Sequence, residues 1–397
     1  MDFLDRNLGR RQFISASSVA LGAGMLMKSA KLMAAAGGVS TGGLPGVSAV
    51  GLKDDGTKYG KYIFYPPEEL SKSERGTNVF GIGSSNIEGC KMNASVLRFD
   101  PPGPMPAHMS PEKHEDKIEV LSYLGNNPDD PMDLGADMDF FLGRGINLEK
   151  YPTASRSMSI SVPAGQWHWP WLLKTIRVPI TFVFINIPKG GSSSQGDSPG
   201  AGGMPGGDPG AGGPPGAGGQ GGPVNAGGMQ GTPTAAQIAD GTWSTLTKEQ
   251  IANARTSGYI YSHLLRSGVG LERKQPKGGQ WIAYNDPDII AETPLVRIIR
   301  YRPEEAPYSI INSQTHEYES IMIFHGIDHD DPRYLGAEIE LSIGPEKEKH
   351  TIKESAIIYI PANTVHGPFT VKKSQKPFLF FECVGGPEHP GAVYNNE

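Results

Sequence analysis

Cysteine is almost absent from this chain. Cys90 and Cys383 are the only two in 397 residues, which excludes a disulfide framework, an iron–sulfur cluster and a four-thiolate zinc site. Any bound metal would therefore rest on His and carboxylate side chains. An excess of positive charge is also lacking. With 36 Lys and Arg against 42 Asp and Glu, the formal charge is -6, which provides no basic field for nucleic acid or an anionic membrane surface. No run of about 18 strongly apolar residues occurs either. The apolar stretch near the N-terminus, Phe13 to Met27, is interrupted by Ser15, Ser17, Ser18, Gly22 and Gly24, so a permanent membrane span is not expected. Bulky side chains are missing from one place in particular. Between Gly190 and Gly231 the chain is nearly all Gly, Pro, Ser and Ala, too little apolar surface to offset the entropy of ordering it, and it reads as a flexible linker. Glycine doublets such as Gly202-Gly203 break the strict three-residue period of collagen.

The N-terminus has the layout of an address. A basic stretch ends at Arg10-Arg11, the apolar stretch follows, and Ala34-Ala35-Ala36 offers a small-residue cleavage site. The pair Arg10-Arg11 followed by Phe13, with Lys28 and Lys31 beyond, resembles a twin-arginine export signal over residues 1–36. That resemblance implies passage of the folded protein through the twin-arginine export machinery and a periplasmic or extracellular location. Such a compartment permits a disulfide between Cys90 and Cys383, which the sequence leaves open.

The rest of the chain is organised by a repeat. Gly125 to Gly143 aligns with Gly326 to Gly344 at eight identical positions of nineteen. The likeness extends upstream, where Val96 to Pro101 matches Ile298 to Pro303, and downstream, where Val162 to His168 matches Ile360 to His366. Two copies of one domain thus flank the linker. Within each copy the apolar runs are short, alternating or β-branched, and bounded by Gly, Pro and Asp, with strands expected at Ser95 to Phe99, Glu119 to Leu124, Met158 to Val162 and Ile180 to Ile187. The second copy offers Leu295 to Tyr301, Ile321 to Phe324, Ala356 to Ile360 and Phe378 to Val384. This pattern predicts an all-β protein built of antiparallel sandwiches or barrels. One short helix is expected, Leu246 to Ala254, behind the capping candidates Ser244, Thr245 and Thr247.

Chemistry concentrates on the histidines. Glu112 and His114 are two apart and share a strand face, Glu119 follows, and a later strand brings His168, so a carboxylate–imidazole set can converge in one interior. Neutral imidazoles with carboxylates suit a divalent transition metal, and a three-ligand set leaves positions open for substrate, water or dioxygen. His114 and His168 recur in the second copy as His316 and His366, which favours the ligand reading over isolated structural histidines. The run Trp167 to Trp171 should alternate, placing its three Trp rings opposite His168 and packing them at a domain or subunit interface.

The arrangement resembles the cupin superfamily over roughly 90–188 and 292–386. The second cupin motif, a Pro-x-Gly-x-x-His turn, reads Pro163-Ala-Gly165-Gln-Trp-His168 and then Pro361-Ala-Asn363-Thr-Val-His366, where Asn replaces the turn glycine. The first motif departs from the family pattern, because Glu112 and Gln314 stand where its leading His would be. The resemblance implies two double-stranded β-helix barrels of the jelly-roll kind: 55–188, then a linker over 189–233, then 234–388 with a short leading helix. It also implies a metal site of His114, Glu119 and His168 with Glu112 as a fourth candidate, and a second of His316, His366 and Glu319. Manganese or iron is expected ahead of zinc. The implied function is that of an exported bicupin enzyme acting on a small oxygen-rich organic ligand by decarboxylation, dioxygenation or isomerisation. The competing expectation is a non-catalytic binding or interaction module, and the assembly is expected to be a homo-oligomer or a monomeric pseudo-dimer.

Overall fold

The computed structural model describes residues 51–52, 56–73, 76–102, 105–106, 112–144, 147–152, 155–191, 264–268 and 273–388. The export segment expected at 1–36, the glycine-rich stretch beyond Gly191 and the helix expected at 246–254 lie outside them. Val47–Glu397 form one compact unit.

The alternating runs become strands. Met158–Val162, Leu295–Tyr301, Ala356–Ile360 and Phe378–Val384 have the expected limits. Asn93–Phe99, Lys117–Gly125, Ile180–Pro188 and Ser320–Gly326 extend theirs by one to three residues. Each repeat builds a seven-stranded and a four-stranded antiparallel sheet, and the two enclose an interior. In the N-terminal copy the large sheet runs Leu265–Arg266, Met158–Val162, Lys117–Gly125, Ile180–Pro188, Asn93–Phe99, Gly76–Ile82, Ser71–Ser73. Its partner runs Met105–Pro106, Trp167–Ile176, Ala136–Arg144, Asn147–Pro152. The C-terminal copy repeats this order, so the chain folds as two cupin-like jelly-roll barrels. Edge strands are exchanged between them. Ile63–Tyr65 pairs with Ala356–Ile360 of the C-terminal barrel, and Leu265–Arg266 pairs with Met158–Val162 of the N-terminal one, covering edges that would otherwise expose unpaired backbone.

Strand parity sorts the side chains. Val183, Ile185, Ile298, Ile321, Ile323, Phe381 and Cys383 share one buried apolar cluster, so the large sheets pack against each other through their outer faces. Cys90 and Cys383 are both buried there and unpaired, and no disulfide joins them. The opposite parity lines the barrel interiors, where Tyr123 stacks on Phe182 and Trp171 meets both edge-on or tilted. Two arginines at equivalent repeat positions clasp the barrels. Arg98 donates to the carbonyls of Asp328 and His329, and Arg300 donates to those of Gly125 at 3.0 Å and Asn127 at 2.9 Å.

Trp171 corrects the expectation of a Trp-lined interface. The pairing of Trp167–Ile176 with Ala136–Arg144 shifts register between His168 and Trp171, and such a bulge rephases the alternation. Trp171 therefore returns to the interior, packed on Phe99 with ring centroids 5.5 Å apart. Among the described residues no helix is long and apolar enough to cross a membrane.

Candidate metal centre

In the N-terminal barrel, Glu112 lies directly across from His168, their backbones exchanging two hydrogen bonds of 3.0 Å. The turn between His114 and His168 docks on the same ladder: Gly165, at φ +82°, donates its N–H to the His114 carbonyl. Glu119 enters from the neighbouring large sheet, opposite Val162 and Asn186. Four donors thereby converge, one atom from each of Glu112, His114, Glu119 and His168 lying within 4.8 Å of all the others. His114 Nε2 is 3.3 Å from Glu112 Oε1 and 3.2 Å from Glu119 Oε1. His168 Nε2 is 2.9 Å from Glu119 Oε2 and 3.6 Å from Glu112 Oε1. Around an ion with bonds of about 2.1 Å, neighbouring donors stand roughly 3.0 Å apart in octahedral and 3.4 Å apart in tetrahedral geometry. The four separations bracket those values, so the set fits a divalent ion.

The protons point the same way. His168 Nδ1 sits 3.0 Å from the Gln166 carbonyl and must donate to it, leaving the Nε2 lone pair aimed at the cluster. A lone pair facing a carboxylate requires a proton or a cation between them. Burial pulls the His168 ring pKa down, but hydrogen bonds to Glu112 and Glu119 prevail and hold it up at about 9. Burial likewise pushes Glu119 up, and His168 and Lys117 outweigh it to leave the carboxyl below its ordinary value. Lys117 Nζ lies 2.7 Å from Glu119 Oε1 on a side chain that is 25% exposed and can withdraw into solvent. Below the cluster, Tyr123, Trp171 and Phe182 close the barrel, so access is from the side of Glu112 and His114, which are 29% and 24% exposed.

The C-terminal barrel differs. Asn363 takes the left-handed turn, φ +61°, and donates to the His316 carbonyl as Gly165 does to His114. His366 repeats the tautomer, its Nδ1 2.9 Å from the Thr364 carbonyl. Glu319 is not with them. Ser320 occupies the register position of Glu119, and Glu319, one residue off, points to the opposite face, where its carboxylate accepts the Lys91 N–H at 2.9 Å. The carboxylate beside His316 and His366 is instead Glu382, on the adjacent strand Phe378–Val384. Its neighbours are organic donors: the Gln314 amide is 2.8 Å from Glu382 Oε1 and 3.0 Å from His366 Nε2, and the Arg297 guanidinium pairs with Glu382 Oε2. Burial pushes Glu382 up, yet Arg297 and His316 hold it down at about 2. Burial and the nearby His316 lower His366 to about 4. Glu382 and Arg297 were not anticipated from sequence. Their signal was charge inside otherwise apolar strands: Glu382 alone in Phe378–Val384, and Arg297 with Arg300 in Leu295–Tyr301.

No protein-family profile matches the chain, and no curated protein sequence does. Among solved structures it is similar to Bacillus subtilis oxalate decarboxylase. In the form used to assign the EPR fine structure of that enzyme's Mn(II) centres, identity is 9% and the TM-score 0.44, over 83% of this chain and 78% of that one. In the form at pH 4.6, identity is 8% and the TM-score 0.43, over 82% and 76%.

Proposed function

We propose that the protein is an exported bicupin enzyme whose N-terminal barrel holds a divalent manganese or iron ion through His114, Glu119 and His168, with Glu112 as fourth ligand. The observation that carries this reading is the convergence of those four donors at ligand-edge spacing with the His168 tautomer already set. When bound, the ion supplies Lewis acidity and exchangeable positions for a substrate oxygen. The chain supplies the rest. Tyr123, Trp171 and Phe182 exclude water from the far side, the Gln166 carbonyl fixes the His168 ring, and Glu112 faces the open side. A small organic acid or vicinal oxygen compound matches such an opening, and decarboxylation, dioxygenation or isomerisation are the reactions to screen.

The test is elemental analysis of the mature protein, purified from its native host after export and without chelator. Near-stoichiometric manganese or iron that disappears in His114→Ala and in Glu119→Gln is the expected outcome. A protein with no metal in any preparation would refute the enzyme reading and favour a binding module.

A further inference from the structure

The C-terminal barrel encloses a cavity of about 370 Å³, within the range that holds a small ligand. Its lining is unlike the rest of this acidic chain. Arg297, paired with Glu382, stands at the inner end, while Arg273, 3.8 Å from the Asp286 carboxylate, and Lys274 and Lys277 stand at the mouth; no carboxylate is itself among the described residues that line it. Trp281, Tyr284 and Phe380 give it flat apolar walls. The Trp281 ring is fixed by an Nε1–H bond of 3.0 Å to the Lys274 carbonyl, and Tyr284 is held at its hydroxyl by Asp286 and on its face by Arg273, 3.6 Å from the ring centroid. Cationic groups around rigid aromatic faces recognise a flat molecule with a negative end.

Gln314 and Arg297 form the layer between this cavity and the His316, His366 and Glu382 group. In the N-terminal barrel the position of Gln314 is Glu112, which has only acceptors to offer, and acceptors facing acceptors call for a cation. Gln314 instead brings N–H donors to His366 Nε2 and to Glu382, and Arg297 brings a permanent positive charge to the other oxygen of Glu382. Lys117 in the first barrel can withdraw from Glu119, but Arg297 is 4% exposed and cannot. A divalent ion would have to displace a buried guanidinium.

We infer that the C-terminal barrel is a metal-independent binding site for a small flat organic carboxylate, with Arg297 in place of the ion. This goes beyond the metal reading of the N-terminal barrel and does not depend on it. The test is isothermal titration of the mature full-length protein, treated with chelator, using benzoate as probe and benzamide as its neutral isostere. Benzoate is expected to bind at one site per chain with or without chelator, and benzamide at least about tenfold more weakly, as loss of a charge-assisted contact predicts. The variant Lys274→Gln/Lys277→Gln should weaken benzoate several-fold while leaving the thermal midpoint in place, and His316→Ala should keep the full metal content. Equal binding of benzamide, no benzoate binding in the folded protein, loss of metal in His316→Ala, or loss of benzoate binding in His114→Ala would each overturn the inference. Absence of metal from the N-terminal site would refute only the other reading.

Discussion

If His168 carries its proton at neutral pH, an ion entering the N-terminal site must expel it. The perturbation is pH. The ring's pKa of about 9 means that nearly every metal-free molecule is protonated there at pH 7, and Nε2 cannot bind an ion until that proton leaves. Two consequences follow. Binding of Mn²⁺ should release about one proton per ion at pH 7, and apparent affinity should rise about tenfold per pH unit between pH 6.5 and 8, still below the ring's pKa. Calorimetric titration in phosphate and in Tris measures the first, because the slope of observed heat against buffer ionisation enthalpy counts protons. Repeating it at three pH values without oxygen measures the second. The Glu112→Gln variant, which keeps His114, Glu119 and His168, supplies a control. Losing that carboxylate removes a partner holding the ring's pKa up, so fewer protons should be released by whatever ion still binds. A pH-independent affinity with no proton release would refute the assignment of His168 as a ligand through Nε2.

Three further outcomes are expected. In the metal-free protein, the raised His168 pKa contributes stability that is complete below about pH 6.5, its unfolded value, and is lost as pH rises through about 9; thermal melts at pH 6 and 9.5 should show the loss in wild type and a smaller one in His168→Gln. Arg300→Met leaves the Gly125 and Asn127 carbonyls without their donor in the inter-barrel contact and should cost roughly 2–4 kcal/mol, read as a fall in denaturation midpoint at unchanged metal content. Gly165→Ala places a Cβ at φ +82° and 3.2 Å from Glu115 Oε2, and should cost about 1–2 kcal/mol, whereas Asn363→Gly at the equivalent turn should change stability by only a few tenths.

Much of this fold was legible because the inner strands carry dense β-branched or aromatic runs whose ends are marked by Gly and Pro, as in Ala356–Ile360 and Phe378–Val384. Less legible were strands whose partners lie far away in sequence. Ile63–Tyr65 is too short to show a period, and it is defined by Ala356–Ile360 in the other barrel. The repeat led to His114, His168, His316 and His366 because a turn of fixed length precedes each second histidine. It did not lead to Glu382. Spacing within a motif gives neighbours along one strand, and the carboxylate beside His316 comes from a different strand, at the register position that Phe184 fills in the first barrel. The same limit explains Glu319: one residue of parity separates the barrel interior from the inter-barrel face, and counting from His316 alone does not reveal which side a strand will present.

The two barrels show how one backbone carries opposite electrostatics. Turn, tautomer and ladder are the same in both: Gly165 and Asn363 dock alike, and Glu112 and Gln314 each pair across from the second histidine. What differs is a small number of interior side chains. Glu112 and Glu119 place two carboxylates at the first site, with a cation that can leave; Gln314 and Ser320 remove both at the second, while Glu382 and Arg297 add a charge pair that cannot. A barrel that had merely lost its metal ligands would be left with a buried carboxylate and an imidazole lone pair facing nothing, at a cost of several kcal/mol. Instead His366 Nε2 and Glu382 Oε1 meet the Gln314 amide, and the Arg297 guanidinium ion-pairs with Glu382 Oε2. That complementarity needs Gln314, Arg297 and Glu382 together on three separate strands or loops, and loss of a metal alone would not select for it.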